Sequence, residues 1–212
     1  MSRARRAQVL LGIVARDALN LARYGTDAPR WGLRIWVSPA SCEGWVRGFT
    51  SEHSGLVKGG DWDLSVERTL DHPDVAPAVA HWHRGVSWEE AGVYDRLAKR
   101  IAEFGGERDG CLTTEDIIAR FERLDCMFEQ VQREQRLRST AESSVLRGRE
   151  RDGVLVHVGR DGATLFGGRG CHRMAAAIVA DIPLLPAQLG VVHPQGLREL
   201  KRLRDPEPKA GS

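Results

Sequence analysis

Residues 154–192 carry the pattern that most constrains the fold of this chain. Val154, Val156 and Val158 alternate with other residues as they do in a strand. The Asp161-Gly162 pair that follows is a strong hairpin turn, and it predicts a second short strand over 163–166. A glycine-rich turn then leads into an alanine-rich stretch over 171–180, which has the composition of a helix. The order strand, strand, loop, helix predicts an α+β fold.

A further strand is expected over 182–192. Pro183 and Pro186 fall in this stretch, and proline cannot donate a hydrogen bond to a neighbouring strand. The sequence therefore predicts either an edge position in the sheet or a strand that begins late.

The glycine-rich turn and the first turn of the predicted helix have the composition of a phosphate site. A helix N-terminus offers free backbone N–H groups and the positive end of the helix dipole, so cations are unfavourable there unless an anion binds. Arg169, His172 and Arg173 fall at this place, and the glycines leave the backbone open to a ligand. The alternative is a tight surface turn with a solvated arginine. The predicted phosphate-binding residues are Gly167, Gly168, Arg169, Gly170, Cys171, His172 and Arg173.

The run Gly-Cys-His-Arg-x-Ala-Ala at 170–176, after a hairpin and before a strand that starts Ile-Pro, resembles the nucleotide-phosphate motif of the ParB/sulfiredoxin superfamily. The sulfiredoxin form of that motif is Phe-Gly-Gly-Cys-His-Arg. Residues 166–168 match its first half and residues 171–173 its second half, but Arg169 and Gly170 are inserted between them. The resemblance covers roughly residues 111–193 and implies a small mixed sheet with helices.

The resemblance implies three different activities. Partition proteins that resemble ParB carry a second box and a helix-turn-helix domain, whereas Pro194-Gln195-Gly196-Leu197-Arg198 follows the motif here, so sequence-specific DNA binding is not expected. ParB-like kinases imply a bound nucleotide, ATP, ADP or CTP, with magnesium, and transfer of a phosphoryl group to an unknown acceptor. Sulfiredoxin implies reduction of a cysteine sulfinic acid, with Cys171 as the reacting thiol. A non-catalytic nucleotide- or nucleic-acid-binding module is the remaining alternative.

Phosphoryl transfer also needs groups that stabilise the transferred phosphoryl and a carboxylate that orients the acceptor. His172 and Arg173 are the candidates for the first task. Asp61 is the leading candidate for the second, because Gly59 and Gly60 predict an exposed turn there. The other candidate carboxylates are Asp63, Asp125 and Glu129.

Charge and cysteine usage narrow the range of partners. The net charge of +2 is too small to indicate nucleic-acid binding, although residues 133–151 hold six arginines against three glutamates. The four cysteines are scattered, which favours a reducing, cytoplasmic compartment and no structural zinc. His72, His81 and His83 are the best set for another metal, but the spacing of the last two points them apart on a helix, so no metal site is expected.

The chain is expected to divide into a tryptophan-rich N-terminal extension over 1–108, a ParB/sulfiredoxin-like domain over 109–196, and a basic helix and tail over 197–212. All six tryptophans fall in the first 88 residues, and core packing is favoured over a flat-substrate site for them. Residues 3–23 predict a basic amphipathic helix docked on the protein, too short in its apolar run to span a membrane.

Capping patterns predict the remaining helices and linkers. Ser87 to Glu90 forms a capping box for a helix that ends near Gly105, and Thr113 caps a helix over 114–136. Residues 139–144 are a predicted linker.

Overall fold

The computed structural model describes residues 3–140 and 149–205. The described residues form six α-helices and a six-stranded mixed sheet, which confirms the predicted α+β class. The helices are α1 (Arg3–Tyr24), α2 (Ala76–Arg84), α3 (Val93–Phe104), α4 (Thr114–Glu134), α5 (Cys171–Val179) and α6 (Leu200–Arg204). The strands are β1 (Arg34–Val37), β2 (Gly44–Trp45), β3 (Glu67–Arg68), β4 (Val154–Val158), β5 (Thr164–Phe166) and β6 (Leu185–Val192).

The chain forms two compact units that are interleaved in the sequence. The sheet unit comprises Met1–Thr69, Arg138–Gly170 and Pro183–Ser212, and the helical unit comprises Leu70–Leu137 and Cys171–Ile182. These units do not follow the ranges 1–108, 109–196 and 197–212 expected from composition. The N-terminal half also supplies three strands of the sheet, β1, β2 and β3.

The sheet unit has the strand order β1-β6-β4-β5-β2-β3. The β4–β5 hairpin forms as predicted, with Val156 opposite Phe166. β6 lies on the side of β4 that faces away from β5, and it runs parallel to β4. Its other neighbour is β1, to which it is antiparallel. Every residue of β4 and β6 is buried, which fits the mainly apolar sequence of both strands.

The position of β6 corrects one of the two sequence alternatives. The strand begins late, at Leu185, as the prolines allow. It is an internal strand and not an edge strand, because β1 and β4 flank it, and Pro186 stands opposite Trp36 of β1. A proline is tolerated there because it lies at the second residue of the strand, where little of the ladder precedes it.

Helix α1 belongs to the sheet unit and docks through one face, as predicted. Ile13 and Asn20 are buried on that face. The Asn20 amide donates to the carbonyls of Pro29 (2.8 Å) and Gly55 (2.7 Å), so one side chain joins the helix to two loops. No helix among the described residues is long and apolar enough to cross a membrane.

The helical unit shows which capping patterns determine a helix boundary. Thr113 and Asp116 form the predicted capping box of α4, and Gly105 ends α3 at φ +61°. Ser87 and Glu90 make the expected box contacts, but α3 begins only at Val93. The prediction of a helix from Ser87 was therefore wrong. Gly92, at φ +68°, has a left-handed backbone conformation that separates the capping box from the helix. The tail 206–212 and residues 141–144 of the predicted linker lie outside the described residues.

Candidate functional site

The glycine-rich loop belongs to the sheet unit and runs beside β4. The Gly167 N–H donates to the carbonyl of Leu155 (2.8 Å), and the Leu155 N–H donates to the carbonyl of Arg169 (3.1 Å). Gly168 and Gly170 have φ of +69° and +75°, which favours glycine. A Cβ at Gly170 would stand 2.8 Å from the Cα of Val154. The fold alone thus gives a reason for these glycines, in addition to the predicted approach of a ligand.

His157 explains a third glycine. Its side chain is fully buried in β4, and its Nδ1 accepts a hydrogen bond from the Val191 N–H (2.8 Å). A Cβ at Gly167 would stand 2.7 Å from its Nε2, so the loop packs directly on the imidazole. Burial, with a smaller contribution from His53, lowers the pKa of His157 to about 3, and the ring is neutral at pH 7.

The Nε2 of His157 carries the ring proton, because Nδ1 is an acceptor. This buried N–H has no hydrogen-bond partner among the described residues. Phe49 and Trp62 meet the ring edge to face, at 5.3 and 6.0 Å between ring centroids. These rings help to bury His157, and burial favours the neutral form.

The turn that holds Asp61 and Asp63 is tied to the β4–β5 hairpin by Arg160. Asp63 accepts from the Arg160 backbone N–H (2.7 Å) and from its guanidinium (2.8 Å to Oδ1). Asp61 accepts from the same guanidinium at 2.9 Å and is otherwise mostly exposed. The hydrogen bonds from Arg160 lower the pKa of Asp63 to about 2, which makes Asp63 a weak base. Asp61 remains the candidate carboxylate of this turn.

In the helical unit, α5 begins at Cys171, and Cys171, His172 and Arg173 occupy its first turn without an acidic residue. Burial lowers the pKa of His172 to about 4, and the charges of Arg120 and Arg96 add to that effect while Asp74 opposes it. Burial therefore favours the neutral ring of His172 at pH 7, although the sequence pattern grouped this residue with the cations. Phe121 and Trp88 lie edge on to the ring, at 6.0 and 6.5 Å between centroids.

Asp125 is a hydrogen-bond acceptor for an aromatic cluster of the helical unit. Its Oδ1 accepts from Trp82 Nε1 (2.8 Å) and lies 3.1 Å from His81 Nε2, and its Oδ2 accepts from Trp88 Nε1 (3.1 Å). A carboxylate engaged by three ring nitrogens has a structural task, which argues against Asp125 as the catalytic carboxylate. Glu129, one turn later, is exposed.

These contacts also settle the place of two tryptophans. Trp88 is buried, and Trp82 stacks on Phe128 at 4.7 Å between centroids. The Trp82/Trp88 cluster lies in the middle of the chain and not in an N-terminal extension. In the sheet unit Trp45 is buried, as expected for a core residue.

A cluster that the sequence did not predict brings together His72, Asp74 and Cys171. Each residue offers one ligand atom: a ring nitrogen of His72, a carboxylate oxygen of Asp74 and the sulfur of Cys171. These three atoms lie within 4.8 Å of one another. The sequence pattern grouped His72 only with His81 and His83. Both ring nitrogens of His81 already have partners, Val86 O at 2.6 Å and Asp125, and His83 is exposed. The His-Pro-Asp spacing at 72–74 was the signal available in the sequence.

No protein-family model, curated protein sequence or solved structure matches this chain. The resemblance to the ParB/sulfiredoxin superfamily therefore stays a prediction that rests on the motif itself.

Proposed function

We propose that this protein binds a nucleotide through its phosphates and transfers a phosphoryl group to an unknown acceptor, as the resemblance to ParB-like kinases implies. The observation that carries the proposal is the start of α5. This helix begins at Cys171, has no acidic residue in its first turn and holds Arg173 there. Its first backbone N–H groups and the positive end of its dipole favour an anion at this place.

The side chains near the start of α5 have different roles in phosphate binding. Arg173 supplies a permanent charge, because a guanidinium stays protonated at any ordinary pH. His172 supplies hydrogen bonding and no charge at pH 7. Asp74 is the nearby carboxylate, and Arg96 pairs with it at 2.7 Å, so its charge is compensated. The phosphate contact is therefore assigned to Arg173 and the N–H groups, while a contact from Arg169 stays a prediction.

The first experiment measures thermal unfolding with ATP, ADP, CTP and GTP in the presence of magnesium. A ligand at one hundred times its dissociation constant adds about 2.7 kcal/mol of stability. We expect a shift with at least one nucleotide that is lost in Arg173→Ala. Arg198→Ala is the matched control, because that side chain is largely exposed and its ion pair with Glu199 is long, at 3.8 Å. No shift with any nucleotide contradicts the proposal.

Turnover separates the proposal from a non-catalytic module. Release of phosphate or labelling of an acceptor supports phosphoryl transfer, whereas nucleotide binding without either supports the module. Asp61→Asn that keeps nucleotide affinity but loses turnover identifies Asp61 as the positioning carboxylate, and unchanged turnover excludes it. For the nucleic-acid form of the module, binding falls steeply with salt because released counterions scale with phosphate contacts.

The sulfiredoxin-like alternative makes Cys171 the reacting group. Cys171 is in no disulfide and is partly buried at the start of α5. A helix N-terminus favours a thiolate, which is the reactive form. If the Cys171→Ser variant keeps full turnover, the thiol takes no part in the mechanism.

A further inference from the structure

We propose that His72, Asp74 and Cys171 form a binding site for a transition-metal ion, for which zinc is the best match. The three ligand atoms lie within 4.8 Å of one another, and all three residues belong to the helical unit. His72 is buried, while Asp74 and Cys171 are partly buried. An ion at this place is shielded from water on the side of His72.

The chemistry of the donors selects the class of metal. Zinc is bound in proteins by imidazole nitrogen, thiolate sulfur and carboxylate oxygen, which are the three donors present here. Magnesium and calcium prefer oxygen ligands alone, and a thiolate disfavours both. Three protein ligands also leave one tetrahedral position for water or for an oxygen of a substrate, as in catalytic zinc sites.

The spacing fits a site that tightens around an ion. With zinc bonds of about 2.0 to 2.3 Å, the ligand atoms of a tetrahedral site lie about 3.3 to 3.8 Å apart. The upper limit of 4.8 Å between the present atoms requires a contraction of about 1 Å, which side-chain rotation supplies.

The backbone that carries two of the ligands is well held. The carbonyl of His72 accepts from the N–H groups of Val75 and Ala76, both at 2.9 Å, so the turn before α2 is closed by hydrogen bonds. Cys171 is the first residue of α5, where its position is set by the helix. The ligands thus come from two defined backbone segments.

A second set of contacts orients the ligands. Arg96 donates to Oδ1 of Asp74 at 2.7 Å and also to the carbonyl of Pro73, which leaves Oδ2 of Asp74 as the oxygen for a cation. The Asp74 N–H donates to Nδ1 of His72 at 3.1 Å. An ion that binds Nδ1 replaces this hydrogen bond, and one that binds Nε2 moves the ring proton to Nδ1. In both cases Cys171 must bind as the thiolate, so metal affinity rises with pH.

The test uses the full chain, freed of metal by a chelator, and metal ions alone without nucleotide. Equilibrium dialysis with zinc is expected to retain one ion per chain. Cobalt(II) at the same site is expected to give the visible absorption of a tetrahedral ion and a charge-transfer band from thiolate to cobalt. Cys171→Ser is expected to abolish that band and to weaken zinc binding by at least about tenfold, and His72→Ala and Asp74→Asn to weaken it as well.

Two control variants match the ligands in residue type. Cys126 is an exposed free cysteine and His83 an exposed histidine of the same unit, so Cys126→Ser and His83→Ala are expected to bind as the wild type does. The melting temperature of each variant without metal shows that it is folded. Should His72→Ala unfold, the wild-type spectrum and Cys171→Ser still decide the question.

The proposal is overturned if the wild type retains no ion, if the charge-transfer band survives in Cys171→Ser, or if the band is lost in Cys126→Ser. It stands apart from the proposed nucleotide chemistry, because no nucleotide is present in the measurement. Failure to bind nucleotides with normal zinc binding contradicts only the proposed function, and the reverse result contradicts only the metal site.

Discussion

The imidazole of His157 lies so close to Gly190 that a methyl group at position 190 would stand 2.1 Å from Nδ1. The nitrogen also accepts the backbone N–H of Val191, so the ring cannot withdraw without losing that hydrogen bond. Gly167 meets the opposite nitrogen of the ring. The buried histidine and the two glycines therefore form one packed arrangement between β4, β6 and the glycine-rich loop.

Gly190→Ala is expected to destabilise the protein by about 3 kcal/mol, because overpacking forces the backbone or the imidazole to move. Urea unfolding measures the change. Gly12→Ala, in α1 with nothing within 4 Å of the added methyl group, is the control and is expected to be neutral or slightly stabilising. Equal stability of Gly190→Ala and wild type would show that the ring is free to move.

The local patterns of 154–179 were enough to predict the hairpin, the loop and the helix, because each depends on neighbouring residues. Strand pairing was different. β1 pairs with β6 and β2 pairs with β5, and these partners lie far along the chain, so a single sequence does not carry that information. Contacts between distant residues could not be predicted for the same reason. Examples are His157 with Gly190, 33 positions apart, and His72 with Cys171, 99 positions apart.

Charge was also harder to predict than helix position. The place of Cys171, His172 and Arg173 at the start of α5 followed from composition, but the neutral state of His172 depends on Phe121, Trp88 and Arg120, which a sequence does not bring together. The role of Asp125 was equally hard to predict. In the sequence it resembles a solvent-exposed residue of an amphipathic helix, and only the fold brings Trp82 and Trp88 to it.

Asp125→Ala is expected to destabilise the protein by about 2 kcal/mol, because the N–H groups of Trp82 and Trp88 lose their acceptor in a partly buried setting. Chemical unfolding gives the free energy, and near-ultraviolet circular dichroism reports the packing of the indoles. Glu129→Ala removes an exposed carboxylate from the same helix and is expected to change neither quantity. If both variants behave alike, the Asp125 hydrogen bonds contribute nothing measurable.

Asp63→Asn is expected to cost about 2 kcal/mol near pH 7, since it weakens charge-assisted hydrogen bonds from Arg160. The pKa of Asp63 lies at about 2 in the folded protein, below its ordinary 3.8. The stabilisation is therefore complete above pH 3.8 and is lost as pH falls toward 2. The stability difference between wild type and Asp63→Asn is expected to shrink over that range, whereas the exposed Asp71→Asn shows no such trend.

His172 links stability to pH in a less acidic range than Asp63 does. Its pKa of about 4 in the folded protein lies below the ordinary 6.5, so the unfolded chain takes up the proton first as pH falls. The stabilisation is present in full above pH 6.5 and is lost between pH 6.5 and 4, by as much as about 3 kcal/mol. His157 acts in the same sense but reaches further into acid, because its pKa is about 3. Replacing His172 alone is therefore expected to weaken the pH dependence without abolishing it.

Urea unfolding of wild type and His172→Gln at pH 7, 6, 5 and 4 measures this linkage. The stability of wild type is expected to fall more steeply than that of His172→Gln, and the exposed His83→Gln is expected to follow the wild type. Parallel curves for wild type and His172→Gln would mean that His172 titrates normally. A normally titrating His172 would restore a partial positive charge at the start of α5 near neutral pH, and nucleotide affinity would then rise as pH falls from 7.5 to 5.5. A neutral His172 leaves Arg173 as the charged side chain of that first turn. The titration of His172 then adds no pH dependence to nucleotide affinity over the same range.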